Sequence, residues 1–165
     1  MRDYSPDRIA PLAERLTHLC RLRGGRTVWR PDAIRVVREF HARGYILGII
    51  SNTISGCETP QALEEADLTR LFSAVVLSTT FGKRKPDASI FLHAARLANV
   101  APNLCAYIGD RPSRDVVGCQ RAGFAMSIVV EGADHPDETE IELPKPDLTI
   151  YNLRELLDIF PPRMK

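Results

Sequence analysis

The sequence lacks a long hydrophobic run, a signal peptide and an excess of charge of either sign. Its longest apolar stretch, residues 45–50, is far too short to cross a bilayer as a helix. The first seven residues contain no apolar core of the kind that a signal peptide needs. A net charge of +1 produces no overall field toward nucleic acid or a membrane surface. These absences favour a cytoplasmic protein that binds neither nucleic acid nor membrane.

Cysteine pairs with metal-site spacing are also missing. The chain has four cysteines, none of them in a CxxC arrangement: Cys20, Cys57, Cys105 and Cys119. Cys105 falls in an apolar strand pattern, and Cys119 falls in a helix pattern. This distribution argues against a disulfide framework and against a zinc site. It predicts buried thiols in a reducing compartment.

Short apolar runs alternate with helical patterns along most of the chain. Strands are predicted at 45–50, 74–77, 104–108, 125–130 and 148–150, and helices at 5–22, 31–43, 60–71, 87–98, 113–122 and 153–159. Uninterrupted apolar runs such as 45–50 are typical of strands buried on both faces. The alternation predicts an α/β fold with a mostly parallel sheet. We assign residues 1–28 to an N-terminal helical segment and residues 29–165 to the α/β core.

Polar residues with related chemistry follow three of the predicted strands. Ser51 and Asn52 follow the first strand, Lys85 follows the second, and Gly109-Asp110 ends the third, with Asp115 on the next helix. In parallel sheets, functional groups gather at the carboxyl ends of the strands. A hydroxyl and a lysine suit a phosphoryl group, and a carboxylate pair suits Mg²⁺. The pattern therefore predicts a site for a phosphoryl group and its metal.

Each of these residues has an ordinary structural explanation when it is taken alone. Ser51-Asn52 is compatible with a simple turn, and Lys85 before a proline is compatible with a solvated loop. Asp115 is also a favourable first-turn carboxylate beside a helix dipole. Their joint occurrence in this order, each near a strand end, favours the functional interpretation.

Three segments together resemble the haloacid dehalogenase-like (HAD) hydrolase superfamily. They are the second motif at 46–53, the third at 82–91 and the fourth at 106–123. The resemblance covers residues 31–157 and implies a Rossmann-like three-layer sandwich. It also implies Mg²⁺-dependent phosphoryl transfer, as in a phosphatase, through an aspartyl-phosphate.

The resemblance also implies a role for each of the strand-end residues. Ser51 would bind the phosphoryl group, assisted by the Asn52 region. Lys85 would steady the nucleophile and the phosphoryl charge. Asp110 would ligate Mg²⁺, and Asp115 would support the metal directly or through water. The expected substrate is a small phosphorylated metabolite.

The family's first motif, an apolar strand that ends in DxDx(T/V), is absent from this sequence. That strand is central in the family fold and carries the nucleophilic aspartate, so the chain is expected to lack both. We interpret the chain as a truncated, catalytically incompetent C-terminal part of a longer protein, with 1–28 as a possible cap remnant. Two alternatives stay open: a phosphate- and metal-binding pseudoenzyme or regulatory module, and one half of a split enzyme whose partner chain supplies the strand.

Other functional classes fit the order of the motifs less well. A response-regulator receiver places its acidic pair before the hydroxyl and the lysine, whereas here Asp110 and Asp115 come last. Lys83-Arg84-Lys85 could suggest nucleic-acid binding, but no aromatic residues interleave the basic ones. A dehalogenase would not need a carboxylate pair for Mg²⁺.

Overall fold

A computed structural model of the protein describes residues 29–132 and 144–163. The strands are β1 (Leu47–Ser51), β2 (Phe72–Leu77), β3 (Ala106–Gly109), β4 (Met126–Val130) and β5 (Leu148–Ile150). The helices are α1 (Ala33–Ala42), α2 (Glu58–Glu65), α3 (Ser78–Phe81), α4 (Ala88–Leu97), α5 (Asp115–Arg121) and α6 (Leu156–Ile159). No helix in these two ranges is long and apolar enough to cross a membrane. The predicted helix 5–22 and the assignment of 1–28 lie outside the described residues.

All strand pairs are parallel, which confirms the predicted α/β architecture. β1 pairs with β2, and β3, β4 and β5 form a second ladder with β4 in the middle. Within residues 29–132 and 144–163, no strand is hydrogen-bonded to both β1 and β3. We call the space between these two strands the β1–β3 gap.

Burial of the strands differs from the prediction in one respect. The run at 45–50 was expected to be buried on both faces, yet no residue of β1 falls in the fully buried class. The same is true of β3, whereas β2 and β4 contain several fully buried residues. The physical reason is that, in the part of the chain that the structure describes, β1 and β3 have a hydrogen-bonded neighbour on one side only. Their other sides border the β1–β3 gap.

The apolar core consists of two clusters on different helices. One cluster joins β2 to α4 and α5 and contains Val76, Ile90, Phe91, Ala94, Cys119 and Ala122. The other joins β4 and β5 to α1 and α6 and contains Val36, Ile128, Val130, Ile150 and Leu156. Burying these side chains removes apolar surface from water, which is the main favourable term in folding. The helices thereby hold the strand ends in fixed positions.

Glycines end two helices, as the sequence predicts. Gly44 follows α1 with φ +81°, and Gly123 follows α5 with φ +71°. Each donates its N–H to a carbonyl three residues earlier, at 3.0 Å. A residue without Cβ adopts this left-handed conformation without steric cost.

The helix predicted at 60–71 is shorter than expected. It ends at Glu65, and a separate 3₁₀ turn covers Thr69–Leu71. Between them Asp67 takes a φ of +53°, which interrupts the helical path. The prediction of one continuous helix was therefore wrong.

Burial of the cysteines matches the prediction only in part. Cys119 is buried, Cys105 is half-buried and Cys57 is exposed. All three are free thiols. The expectation of a buried thiol was wrong for Cys57, which lies at the start of α2 next to Ser55. Cys20 lies outside the described residues.

Candidate active site

The parallel strands bring the predicted polar residues to one edge of the fold. Ser51 is the last residue of β1, Gly109 is the last residue of β3, and Asp115 is the first residue of α5. Lys85 comes from the loop between α3 and α4 and reaches Asp115. Of the sequence-predicted residues, Lys85, Asp110 and Asp115 line one cleft of about 280 Å³ at the end of the β1–β3 gap.

An ion pair between Lys85 and Asp115 is the centre of this site. The Lys85 Nζ lies 2.6 Å from Asp115 Oδ1, and the two side chains are 11% and 3% exposed. Charges this deeply placed are costly to leave without a partner. The pair therefore fixes the position of the lysine ammonium at the cleft.

The second oxygen of Asp115 organises the turn that precedes its helix. Asp115 Oδ2 accepts hydrogen bonds from the backbone N–H of Asp110 at 3.1 Å and of Arg111 at 3.0 Å. A Cβ on Gly109 would overlap the Asp115 carboxylate, so this position requires glycine for close approach. The Gly-Asp pair followed by a carboxylate five residues later is thus a tightly packed unit.

Asn52 binds the backbone of Lys85 from both ends of its amide. Its Oδ1 accepts the Lys85 N–H at 2.8 Å, and its Nδ2 donates to the Lys85 carbonyl at 3.0 Å. The amide thereby fixes the loop that carries the lysine. Contact between Asn52 and a phosphate group stays a prediction.

Asp110 and Ser51 present side chains that are less enclosed. Asp110 Oδ2 accepts a hydrogen bond from Arg30 Nη2 at 3.3 Å, and the two side chains are 42% and 37% exposed, respectively. The Ser51 hydroxyl has no hydrogen-bond partner in the part of the chain that the structure describes. Asp110 thus presents an accessible carboxylate to the cleft, whereas Ser51 is not among the residues that line it.

Two residues of this site were not identified from the sequence. Arg30 lines the cleft from the segment before α1, and Tyr107 reaches it from β3. The Tyr107 hydroxyl accepts a hydrogen bond from Lys85 Nζ at 2.7 Å and donates one to the Ile50 carbonyl at 3.2 Å. A tyrosine within an apolar strand is a signal, because its hydroxyl needs a partner when it is buried.

Enclosure of the Tyr107 hydroxyl changes its acidity. The residue as a whole is half-buried, but its phenol group is surrounded by protein. Burial, and then the negative charge of Asp115, raise the pKa of Tyr107 well above its usual value. The hydroxyl is therefore protonated and able to donate to Ile50.

The side chains around the cleft offer few ligands for Mg²⁺. No group of three or more His, Cys, Asp or Glu residues that could hold a metal occurs in 29–132 and 144–163. Mg²⁺ commonly uses one or two carboxylates and takes its other ligands from water and substrate phosphate. Asp110, which already pairs with the Arg30 guanidinium, fits the role of one such carboxylate ligand.

A larger open hollow of about 710 Å³ runs along α1. It contains Arg30 and Trp29 but none of Ser51, Lys85, Asp110 and Asp115. Because the chemistry-bearing side chains converge elsewhere, the smaller cleft is the candidate site.

Comparison with known proteins agrees with this geometry. A family model for haloacid dehalogenase-like hydrolases matches residues 24–129. Glyceraldehyde 3-phosphate phosphatase of Methanopyrus kandleri is 31% identical over 129 residues, covering 78% of this chain and 55% of that protein. Phosphoserine phosphatase of Thermus thermophilus is 32% identical over 126 residues, covering 76% and 49%. The chain thus spans about half the length of the curated relatives it matches.

A solved structure extends the likeness to the fold. The HAD phosphatase from Thermococcus onnurineus superposes with a TM-score of 0.66 at 26% identity, covering 90% of this chain and 62% of that chain. The match over residues 24–129, together with these relatives, shows that the chain belongs to the haloacid dehalogenase-like hydrolases.

Proposed function

We propose that this chain carries the phosphate-binding part of the active site of a Mg²⁺-dependent phosphomonoester hydrolase. The observation that carries the proposal is the Lys85–Asp115 ion pair of 2.6 Å, set in the same cleft as Asp110. A buried ammonium fixed beside an accessible carboxylate can bind a dianion together with its metal.

Each residue has a role that follows from its contacts. Lys85 offsets the charge of the phosphoryl oxygens, and Ser51 donates its hydroxyl to one of them. Asn52 holds the Lys85 loop, so it acts on phosphate chiefly through the lysine. Asp115 has both oxygens engaged and is 2% exposed, so it supports the site by orienting Lys85 and the Asp110 turn. Asp110 is the metal ligand, and Mg²⁺ would supply positive charge that screens the phosphate from an attacking anion.

The nucleophile is the part that the described residues do not offer. The family resemblance implies that the first aspartate of DxDx(T/V) attacks phosphorus to form an aspartyl-phosphate. The P–O ester bond breaks, and the second aspartate of the motif gives its proton to the leaving oxygen. Water then attacks phosphorus and gives a proton to the second aspartate, which frees inorganic phosphate and regenerates the first carboxylate. We propose that this aspartate follows a strand that occupies the β1–β3 gap.

Three properties of the gap support a strand as its occupant. Among the described residues, β1 and β3 each have one hydrogen-bonded neighbouring strand, so the opposite edge of each can offer backbone donors and acceptors to another strand. Apolar side chains beside the gap are accessible, with Ile108 37% exposed. The gap ends at the cleft that holds Lys85 and Asp110, where a residue following the strand would lie. A partner chain, or a segment outside the described residues, would supply this strand.

The proposal extends to the class of substrate and the setting. The relatives named above are phosphatases of small phosphorylated metabolites, and a cleft of about 280 Å³ suits a compound of that size. We therefore place a small phosphomonoester in the site. The free thiols of Cys57, Cys105 and Cys119 agree with a cytoplasmic, reducing setting.

Hydrolysis of p-nitrophenyl phosphate with Mg²⁺ tests the proposal. The chain alone is expected to show no measurable turnover. A synthetic peptide with an apolar strand ending in DxDx(T/V) should restore turnover, whereas the same peptide with Asn for its first Asp should not. Asp110→Ala should abolish the restored activity. Activity of the chain alone that Asp110→Ala removes would contradict the need for an external nucleophile.

A binding module without turnover is the second candidate function. It is favoured by the side chains proposed to bind phosphate and metal, Lys85 and Asp110, which line one cleft without a suitably placed nucleophile among the described residues. Calorimetry with Mg²⁺ and orthovanadate separates the two candidates. A module would bind both but stay inactive with the peptide, whereas a hydrolase part would bind both and gain turnover.

A further inference from the structure

The Tyr107 hydroxyl connects the two groups of strands through a hydrogen bond. It receives a hydrogen bond from Lys85 Nζ at 2.7 Å and gives one to the Ile50 carbonyl at 3.2 Å. Ile50 belongs to β1 and Tyr107 to β3, so this contact crosses the β1–β3 gap. The carbonyl of Ile50 directly precedes Ser51, the proposed phosphate-binding hydroxyl.

The ring of Tyr107 is held firmly in its place. Phe91, which is fully buried, meets it edge-on with ring centroids 4.9 Å apart. Lys85 Nζ lies beyond the hydroxyl end of the ring, 2.7 Å from Oη and 5.2 Å from the ring centroid. The hydroxyl therefore has a fixed position relative to the lysine.

The ammonium of Lys85 has three N–H donors. One is directed to Asp115 Oδ1 and a second to Tyr107 Oη, which leaves the third for the cleft. At the other end of the residue, Asn52 binds the backbone N–H and carbonyl of Lys85. Two acceptors on the head and one amide on the backbone determine where the third donor points.

We propose that Tyr107 is a positioning residue, whose hydroxyl directs the Lys85 ammonium into the phosphate cleft. It does not contact the phosphoryl group itself. The proposal gives a role to a residue that the polar strand-end pattern did not include. The ligand of the cleft is taken to be a phosphate-like anion, and in this respect the proposal rests on the proposed function. Without the hydroxyl, the ammonium has one acceptor fewer and can turn away from the cleft.

Tyr107→Phe is the test variant, because it removes one oxygen and keeps the ring. Tyr45→Phe is the matched control. The Tyr45 hydroxyl also donates to a backbone carbonyl, that of Pro161 at 2.8 Å, and its ring also packs edge-on against a phenylalanine, Phe40 at 5.2 Å. The two variants thus lose the same group and the same kinds of contact, from an enclosed position at the site and from a more exposed position away from it.

Orthovanadate affinity in the presence of Mg²⁺, measured by calorimetry, is the first readout. Because Tyr107 acts on the anion only by orienting Lys85, loss of its hydroxyl in Tyr107→Phe should weaken binding by roughly three- to tenfold, the size of an ordinary net hydrogen-bond contribution. Mg²⁺ affinity without vanadate should be unchanged, because the substitution keeps the Asp110 carboxylate and changes no charge. Tyr45→Phe should leave both affinities unchanged.

The Lys85 ammonium signal in ¹H–¹⁵N NMR spectra is the second readout, and it needs no ligand. Because two acceptors protect its N–H groups from exchange with water, the ammonium should give a visible signal in the wild-type chain. The signal is assigned to Lys85 by its absence from the spectrum of Lys85→Arg. It should be lost or shifted in Tyr107→Phe and retained in Tyr45→Phe.

The outcomes separate this proposal from the proposed function. A wild-type chain that binds no vanadate would defeat the proposed function, while the ammonium signal would still decide the role of Tyr107. An unchanged ammonium signal in Tyr107→Phe, or an unchanged vanadate affinity where the wild type binds, would overturn positioning. Equal losses for Mg²⁺ and vanadate, or an unfolded Tyr107→Phe beside a folded Tyr45→Phe, would assign Tyr107 a structural role and also overturn it.

Discussion

Lys85 and Asp115 form an ion pair of 2.6 Å at the edge where β1 and β3 end, with side chains that are 11% and 3% exposed. The two residues lie 30 positions apart in sequence and are brought together by the parallel strands. Asp115 also accepts two backbone N–H groups from the Asp110 turn. One carboxylate therefore connects the lysine, the Asp110 turn and the start of α5.

Asp115→Asn should strongly destabilise the protein. The substitution removes the negative partner of an enclosed ammonium, and breaking such a pair from one side costs about 3–5 kcal/mol. Urea unfolding measures the change. Arg154→Gln is the control, since its pair with Asp32 has an arginine that is 59% exposed, and losing such a solvent-exposed pair should change stability much less. Equal losses in the two variants would show that Lys85 finds another counter-charge.

Gly109→Ala should destabilise the same unit by steric overlap. An added Cβ would collide with the Asp115 carboxylate, which cannot withdraw without losing its bonds. Forced repacking of this kind typically costs about 1–3 kcal/mol. Gly48→Ala is the matched strand control, because its Cβ would meet Ala74 only at ordinary contact distances of 3.6 Å and 3.7 Å. Similar unfolding midpoints for the two variants would contradict the overlap at Gly109.

The sequence predicted which polar residues meet at one edge better than it predicted the burial of the strands. Lys85 and Asp110 were expected there because parallel strands end at one edge, and both line the cleft, whereas Ser51 does not. Whether they bind phosphate and metal stays a prediction. Arg30 and Tyr107 could not be found in this way, because their contacts with Asp110 and Ile50 span 80 and 57 positions. No periodic pattern encodes such pairs.

The partial exposure of β1 illustrates a second limit. A continuous apolar run at 45–50 indicates a strand that can be buried, but it does not specify which neighbours the strand has. In the described residues β1 pairs with β2 alone, so the same side chains border the β1–β3 gap. Burial is a property of the whole arrangement, whereas strand formation follows from the local run.

Asp147 should make stability depend on pH in acid. Hydrogen bonds from the Ser127 backbone N–H and then its hydroxyl, each 2.7 Å long, lower the pKa of the Asp147 carboxyl. Because the folded pKa is depressed, the unfolded chain binds more protons, and stability rises with pH. This contribution to stability is fully present above the unfolded-state pKa of about 3.9 and is lost as the pH falls through the folded-state pKa.

Asp147→Asn measures that contribution directly. The variant should be less stable than the wild type at neutral pH, and the difference should shrink as the pH falls below about 4. Unfolding in urea at a series of pH values gives both curves. Ser127→Ala keeps the backbone donor and should lose only part of the effect. A difference between wild type and Asp147→Asn that does not vary with pH would contradict the assignment.

Arg30 and the proposed Mg²⁺ would use the same carboxylate. Arg30 Nη2 lies 3.3 Å from Asp110 Oδ2, and both side chains are more than a third exposed. An exposed pair of this kind is weak, about 0.2–1 kcal/mol. The guanidinium can therefore be displaced by a divalent cation at a small cost.

Arg30→Gln should bind Mg²⁺ more tightly than the wild-type chain, because the metal no longer competes with a guanidinium for Asp110. The energy of the lost pair corresponds to an increase of roughly two- to fivefold in affinity, measured by calorimetry without substrate. Lys83→Gln is the charge-matched control: it removes one positive charge from an exposed pair with Asp87. An equal increase in both variants would show that the tighter binding comes from the change in net charge alone. Weaker Mg²⁺ binding in Arg30→Gln would show instead that Arg30 supports the metal site.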